Sequence, residues 1–186
     1  NDIEAGRLAI TDNKVFSYRV DPTRANLLYA RNDLYDAYLA ELRRQSGRAE
    51  IRYVGITDIA DFYPRLYHHR LENALSSVAS TARVTQVASV LARFLNRLSR
   101  GDSYGLPVGP LASRILGEAV LIDVDEALTA EGIEFARWVD DFNFFCGSEA
   151  DARSALFFLA EWLFEHHGLT LQPLKMYTGG SIFPPE

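Results

Sequence analysis

Cysteine is almost absent. Cys146 is the only one in 186 residues, which excludes an internal disulfide and any cysteine-built metal cluster within the chain. It ends an aromatic run and is expected to be a buried, inert thiol. No apolar run approaches the length that spans a bilayer, and no signal-peptide pattern opens the chain. A cytoplasmic, reducing setting without membrane contact is therefore expected. An initiating Met is also lacking, so an excerpt of a longer chain, or a processed product, is expected. There is no Gly-x-Ser-x-Gly elbow and no P-loop, which removes two common catalytic frameworks. Internal repeats and low-complexity segments are missing. Acid is scarce in one window: between Phe62 and Gly101 the only acid is Glu72, against Arg65, Arg70, Arg83, Arg93, Arg97, Arg100, His68 and His69. In a chain of net charge −6, such a local basic stripe is the footprint of phosphate contact.

What is present is ample core: 48% of residues are hydrophobic, enough for one globular domain with at most a small appendage. Val15 to Val20 reads as a short strand ended by Asp21-Pro22, and Thr23 to Arg44 as a helix stopped by Gly47. Ile51 to Thr57 alternates as a strand that delivers Asp58 at its end, a position that offers side chains to ligands. Pro64 disfavours helix at Tyr63. Leu66 to Ala79 and Thr81 to Arg100 read as helices. The second carries an apolar stripe of Val84, Val87, Leu91, Phe94, Leu95 and Leu98, opposite Arg93, Arg97 and Arg100. Gly101 to Pro110 is a loop, and Leu111 to Thr129 a helix broken before Gly132. Ser148, with Asp151 three residues on, caps a helix that stops at Gly168, and Leu169 to Leu171 reads as a short strand.

Between the last two long helices, Ile133, Phe135 and Trp138 precede Asp140-Asp141, and Phe142, Phe144 and Phe145 follow it. Two β-prone runs around a polar break predict a hairpin with two carboxylates at its tip. The element order predicts an α+β fold of the split βαβ kind, a small antiparallel sheet packed on helices. In that fold the end of the first strand lies beside the hairpin tip, so Asp58 should meet Asp140. Three converging carboxylates repel one another unless cations neutralise them. All-oxygen ligands point to Mg²⁺. Two such ions about 4 Å apart suit in-line phosphoryl displacement, hence nucleotidyl transfer.

Four stretches, in order, resemble the palm motifs of reverse transcriptases. Asp58-Ile59-Ala60-Asp61-Phe62-Tyr63 resembles the first metal-binding motif. Gly105-Leu106-Pro107-Val108-Gly109-Pro110-Leu111-Ala112-Ser113 resembles the Gly-x-Pro-x-Gly loop and helix. Trp138-Val139-Asp140-Asp141 resembles aromatic-x-Asp-Asp, and Gly168-Leu169-Thr170-Leu171 through Lys175 resembles the fourth. The match covers roughly Ile51 to Lys175. The resemblance implies a ferredoxin-like polymerase palm over 51–186, a partial fingers region over 1–50, and no thumb. It implies RNA-directed DNA polymerisation: dNTPs are added to a 3′-hydroxyl by two Mg²⁺ ions, with Mn²⁺ as a substitute. Asp58 and Asp140 would hold both ions, and Asp141 would help hold one. Tyr63 would be the gate against a ribose 2′-hydroxyl. The backbone around Asp61 and Phe62 would meet the triphosphate, Pro107 and Gly109 would lie under template and nucleotide, and Lys175 would donate to the leaving pyrophosphate. Arg19 is a weaker candidate for gripping the triphosphate.

The chain departs from the family at Val108, where many members carry Gln, and at Trp138, where Tyr or Phe is usual. Both positions contact template, primer or nucleotide in the family. Gly105 to Pro110 with Ser113-Arg114 looks closest to abortive-infection and defence-associated bacterial enzymes. That implies antiviral defence, a non-coding RNA partner, and further domains, including a thumb, in a longer chain. The competing expectations are a template-independent deoxynucleotidyl transferase, an RNA-directed RNA polymerase, and a non-catalytic nucleic-acid-binding palm.

Overall fold

A computed structural model describes residues 2–21, 31–173 and 175–178, with backbone alone for residues 31, 32, 176 and 178. The helices are α1 (Asp2–Gly6), α2 (Arg31–Ser46), α3 (Phe62–Arg65), α4 (His68–Ser77), α5 (Ala82–Leu98), α6 (Leu111–Val120), α7 (Ile122–Ala130) and α8 (Glu149–Trp162). The strands are β1 (Tyr53–Asp58), β2 (Phe135–Trp138), β3 (Asp141–Cys146) and β4 (Lys175–Thr178). Two compact units form: Leu8–Ala60 with Val124–Glu186, and Asn1–Arg7 with Asp61–Asp123. The fold is mixed α+β, as expected.

The first of these, the sheet unit, is an antiparallel sheet in the order β2-β3-β1-β4. Its core is the aromatic run seen in the sequence. Phe135, Phe142 and Phe144 are almost fully buried, with Leu159 of α8, Leu163 and Leu169. Each such side chain contributes roughly 1.5–3 kcal/mol by leaving water. Ser148 caps α8 by accepting from the Asp151 N–H at 3.1 Å, and Gly168 ends the helical run in the left-handed conformation. Helix α2 ends at Ser46, next to the expected Gly47 stop, and packs on β2 and β3. The expected helical residues Thr23 to Ala30 lie outside the described residues.

The helical unit is built on α4 packed against both α5 and α6. A buried ion pair, Arg7–Glu118 at 2.8 Å, ties its two chain segments together. A Cβ at Gly117 would stand 3.1 Å from the rings of both Phe62 and Tyr63, so the missing side chain is what lets those rings close on α6.

The fold corrects several local expectations. Val15 to Val20 is no strand: Val15 makes a single parallel bridge to Arg137, and Tyr18 at φ 47° breaks the extended run. Phe62–Arg65 is a helical turn in spite of Pro64, because first-turn N–H groups need no partner in any case. Leu111 to Thr129 is two helices that meet at Leu121. Leu171 makes one bridge, to Ile59, and the edge strand comes later as β4. In α5 the buried face is Ala88, Ala92 and Leu95, and Val87, Phe94 and Leu98 of the expected stripe are exposed with Val90. The face that carries the two alanines is buried, and the bulkier face is left to solvent.

Candidate active site

The sheet register gathers the acids. Asp58, last in β1, pairs with Asp141, first in β3, and directly opposed residues of such a ladder have Cβ atoms ~5 Å apart. Asp141 also pairs with Trp138, leaving Val139-Asp140 as a two-residue hairpin loop. Beyond the register, the Ile59 N–H donates to the Asp140 carbonyl at 3.2 Å. Asp58, Asp140 and Asp141 therefore occupy one end of the sheet. Lys175 opens β4, the neighbour of β1 on its other side. Just beyond the Asp58 end, Ala60 donates to Thr170 and Gln172 donates to the Asp58 carbonyl, each at 2.8 Å.

Electrostatics mark the same place. Asp141 keeps solvent access, yet its carboxyl is pushed up to about 6. Burial is the largest cause, followed by the charges of Asp140 and Asp58, with Lys175 pulling the other way. The same anion, after burial, helps push the Tyr38 phenol up. Negative charge in excess at an all-oxygen donor set fits a hard divalent cation. Among the described residues no three His, Cys, Asp or Glu side chains already form a metal cage. The backbone register brings the three carboxylate-bearing residues to one end of the sheet.

The loop that carries Asp140 is strained and held from behind. Val139 has φ 59°, a conformation that suits Gly at the first position of a type II′ hairpin turn. For a β-branched residue it costs on the order of 1–3 kcal/mol and persists only where the surroundings over-determine it. They do so here. The Val139 N–H donates to Ser17 Oγ at 2.9 Å, and its carbonyl accepts from Arg137 at 2.6 Å. The Arg137 guanidinium is fully buried and forms a bidentate pair with Asp125, at 2.8 and 2.5 Å. Sequence reasoning missed this trio. Its one signal was an arginine inside the apolar strand Phe135-Ala136-Arg137-Trp138, where a buried charge demands a partner.

Trp138, one of the departures, turns inward. It packs on Tyr18, Tyr35 and Tyr38 with centroids 6.4, 5.0 and 5.8 Å away. Arg19 is buried and donates to the carbonyls of Val15 and Leu8, so its guanidinium supports the N-terminal segment of the sheet unit.

The remaining candidates belong to the helical unit. Asp61, at φ 51°, precedes α3 and pairs with Arg65 at 3.4 Å. Phe62 is buried against Tyr63, ring centroids 5.1 Å apart, and Tyr63 is half-buried. The Tyr63 carbonyl accepts from Leu106 at 2.9 Å, and Leu106 is the buried anchor of the Gly-Pro loop. Beyond that anchor Pro107, Val108 and Gly109 are exposed, Val108 at 72%. Gly109 has φ 111° with nothing near a would-be Cβ, so the backbone turn alone calls for glycine. Arg83, Arg93, Arg97 and Arg100 of the basic stripe are exposed. Among the described residues no helix is long and apolar enough to cross a membrane.

No protein-family model matches the chain, and no curated protein matches its sequence. Solved structures match the fold. Apo telomerase from Candida tropicalis aligns at TM-score 0.56 and 12% identity, over 80% of this chain and 32% of that one. The same telomerase truncated from its C-terminal domain aligns at 0.60 and 13%, over 97% of this chain and 39% of that one. The chain thus spans 32–39% of these neighbours and has a telomerase-like fold at low identity.

Proposed function

We propose that this chain is the catalytic core of an RNA-directed DNA polymerase that extends a nucleic-acid 3′-hydroxyl with dNTPs. The sheet unit supplies the acidic part of a palm. The observation that carries the reading is the pairing of Asp58 with Asp141, with Asp140 at the tip beside them, on a fold shared with telomerase.

Asp58 and Asp140 would hold two Mg²⁺ ions, with Asp141 as a further ligand to one. When bound, the ions supply charge neutralisation at the reacting phosphate and lower the pKa of the attacking hydroxyl. The protein's own part is placement. β1 and the hairpin present carboxylates from two chain segments, and Lys175 provides a cation for the leaving pyrophosphate. Tyr63 would exclude a ribose 2′-hydroxyl, the backbone at Asp61 and Phe62 would meet the triphosphate, and the Pro107–Gly109 loop would support template and nucleotide. The exposed arginines of α5 would hold strand phosphates. A role in antiviral defence rests on the Gly105–Pro110 and Ser113-Arg114 pattern alone.

The test is primer extension by the full-length protein on RNA and DNA templates, with dNTPs and with rNTPs. Mg²⁺-dependent dNTP incorporation is expected, and Asp140→Asn should lower it by about three orders of magnitude or more, each ~1.4 kcal/mol of lost stabilisation being tenfold. Incorporation unaffected by that substitution would remove the reading. Preference for rNTPs would make the protein an RNA polymerase instead.

A further inference from the structure

We infer that Arg137, oriented by Asp125, is a positioning residue for the acidic turn, and that Ser17 completes the clamp. The inference rests on the polymerase reading, and goes beyond it by assigning work to three residues that touch neither metal nor substrate. Its basis is the polar environment of Val139. In an exposed hairpin loop both backbone groups of the first loop residue face water. Here the N–H meets a buried hydroxyl, and the carbonyl meets a fully buried guanidinium. That guanidinium cannot swing away, because Asp125 of α7 fixes its other nitrogens in a planar fork. The main chain of the same strand is gripped as well: the Arg137 N–H donates to the Lys14 carbonyl at 2.7 Å, and the Arg137 carbonyl accepts from Phe16 at 3.3 Å. Residues 14–17 and α7 thus lock a turn whose Val139 would relax if released, and relaxation would carry Asp140 with it.

A structural ion pair alone would stabilise the fold without caring which residue occupies position 139. A clamp on strained backbone would care, since Gly at 139 holds φ near +60° unaided. The experiment measures Mg²⁺ affinity of the full-length protein by titration calorimetry, with the metal alone as probe, alongside kcat and KM for dNTP. Arg137→Lys keeps the charge and loses the fork. It should weaken Mg²⁺ binding about tenfold, the usual scale for groups that orient metal ligands, and lower kcat with little change in KM. Ser17→Ala should do the same about threefold. Val139→Gly should be near neutral alone and should recover most of the Arg137→Lys loss. If Arg137→Lys does not fold, Ser17→Ala with and without Val139→Gly makes the same comparison. Unchanged Mg²⁺ affinity in the folded variants, or a loss that Val139→Gly leaves untouched, overturns the clamp while the polymerase reading stands. A wild type that binds Mg²⁺ no better than Asp140→Asn overturns both.

Discussion

The hairpin tip and the helix α5 face handle charge in opposite ways. At the tip, charge is surrounded: Arg137 meets Asp125 out of water, Val139 is bonded on both sides, and three aspartates crowd one end of a sheet. On α5, charge is left open. Arg83, Arg93 and Arg97 are exposed among Val87, Val90, Phe94 and Leu98, with no acid in the helix. One region holds a few atoms still inside the fold, and the other leaves long cationic side chains in solvent. Removing a buried partner of the turn should therefore damage folding and chemistry, and removing an arginine of the helix only binding.

The largest effect on stability should come from Arg137→Ala. It takes the bidentate partner away from the buried Asp125 carboxylate, and breaking such a buried pair costs about 3–5 kcal/mol, read as the shift of a denaturant midpoint. A loss under ~1 kcal/mol would mean that the pair is open to water and the contrast false. The double substitution Arg93→Gln, Arg97→Gln should change stability by less than ~0.5 kcal/mol. It should still weaken nucleic-acid binding uniformly across sequences and lower the slope of log K against log salt by about 2. An unchanged slope would take α5 out of the binding face.

The smallest effect is a sign. Asp141 titrates near 6 in the fold, above its ordinary 3.8, so folding takes up a proton between about pH 4 and 6. Its charged form is penalised above that window, and the penalty is absent below it. In metal-free buffer Asp141→Asn should thus raise the melting temperature slightly at pH 8, and the gain should vanish as pH falls below about 4. A loss of stability at pH 8 would show that Asp141 is favourably paired.

The sequence made the acids legible because their placement follows from short-range rules. Alternation in Ile51 to Thr57 ends at Asp58, and aromatic runs on either side of Asp140-Asp141 can only close as a hairpin. The clamp was not legible. Arg137 stood out in an apolar strand, but its partner Asp125 lies in another element, twelve positions away, and spacing does not name it. Val139 gave the wrong signal, since a β-branched residue argues against a left-handed turn and only tertiary bonds reverse that. Periodicity found an apolar stripe on α5 but not which part of it would be covered, because the buried face carries Ala88 and Ala92, the weaker hydrophobes, and larger side chains are left exposed.

The proposed sharing of one cation by Asp58 and Asp140 has a direct test. Crystals of the full-length protein grown with Mn²⁺ and a non-hydrolysable dNTP should show anomalous scattering between the carboxylates of Asp58 and Asp140. A manganese site elsewhere, with those two side chains turned apart, would contradict the palm assignment.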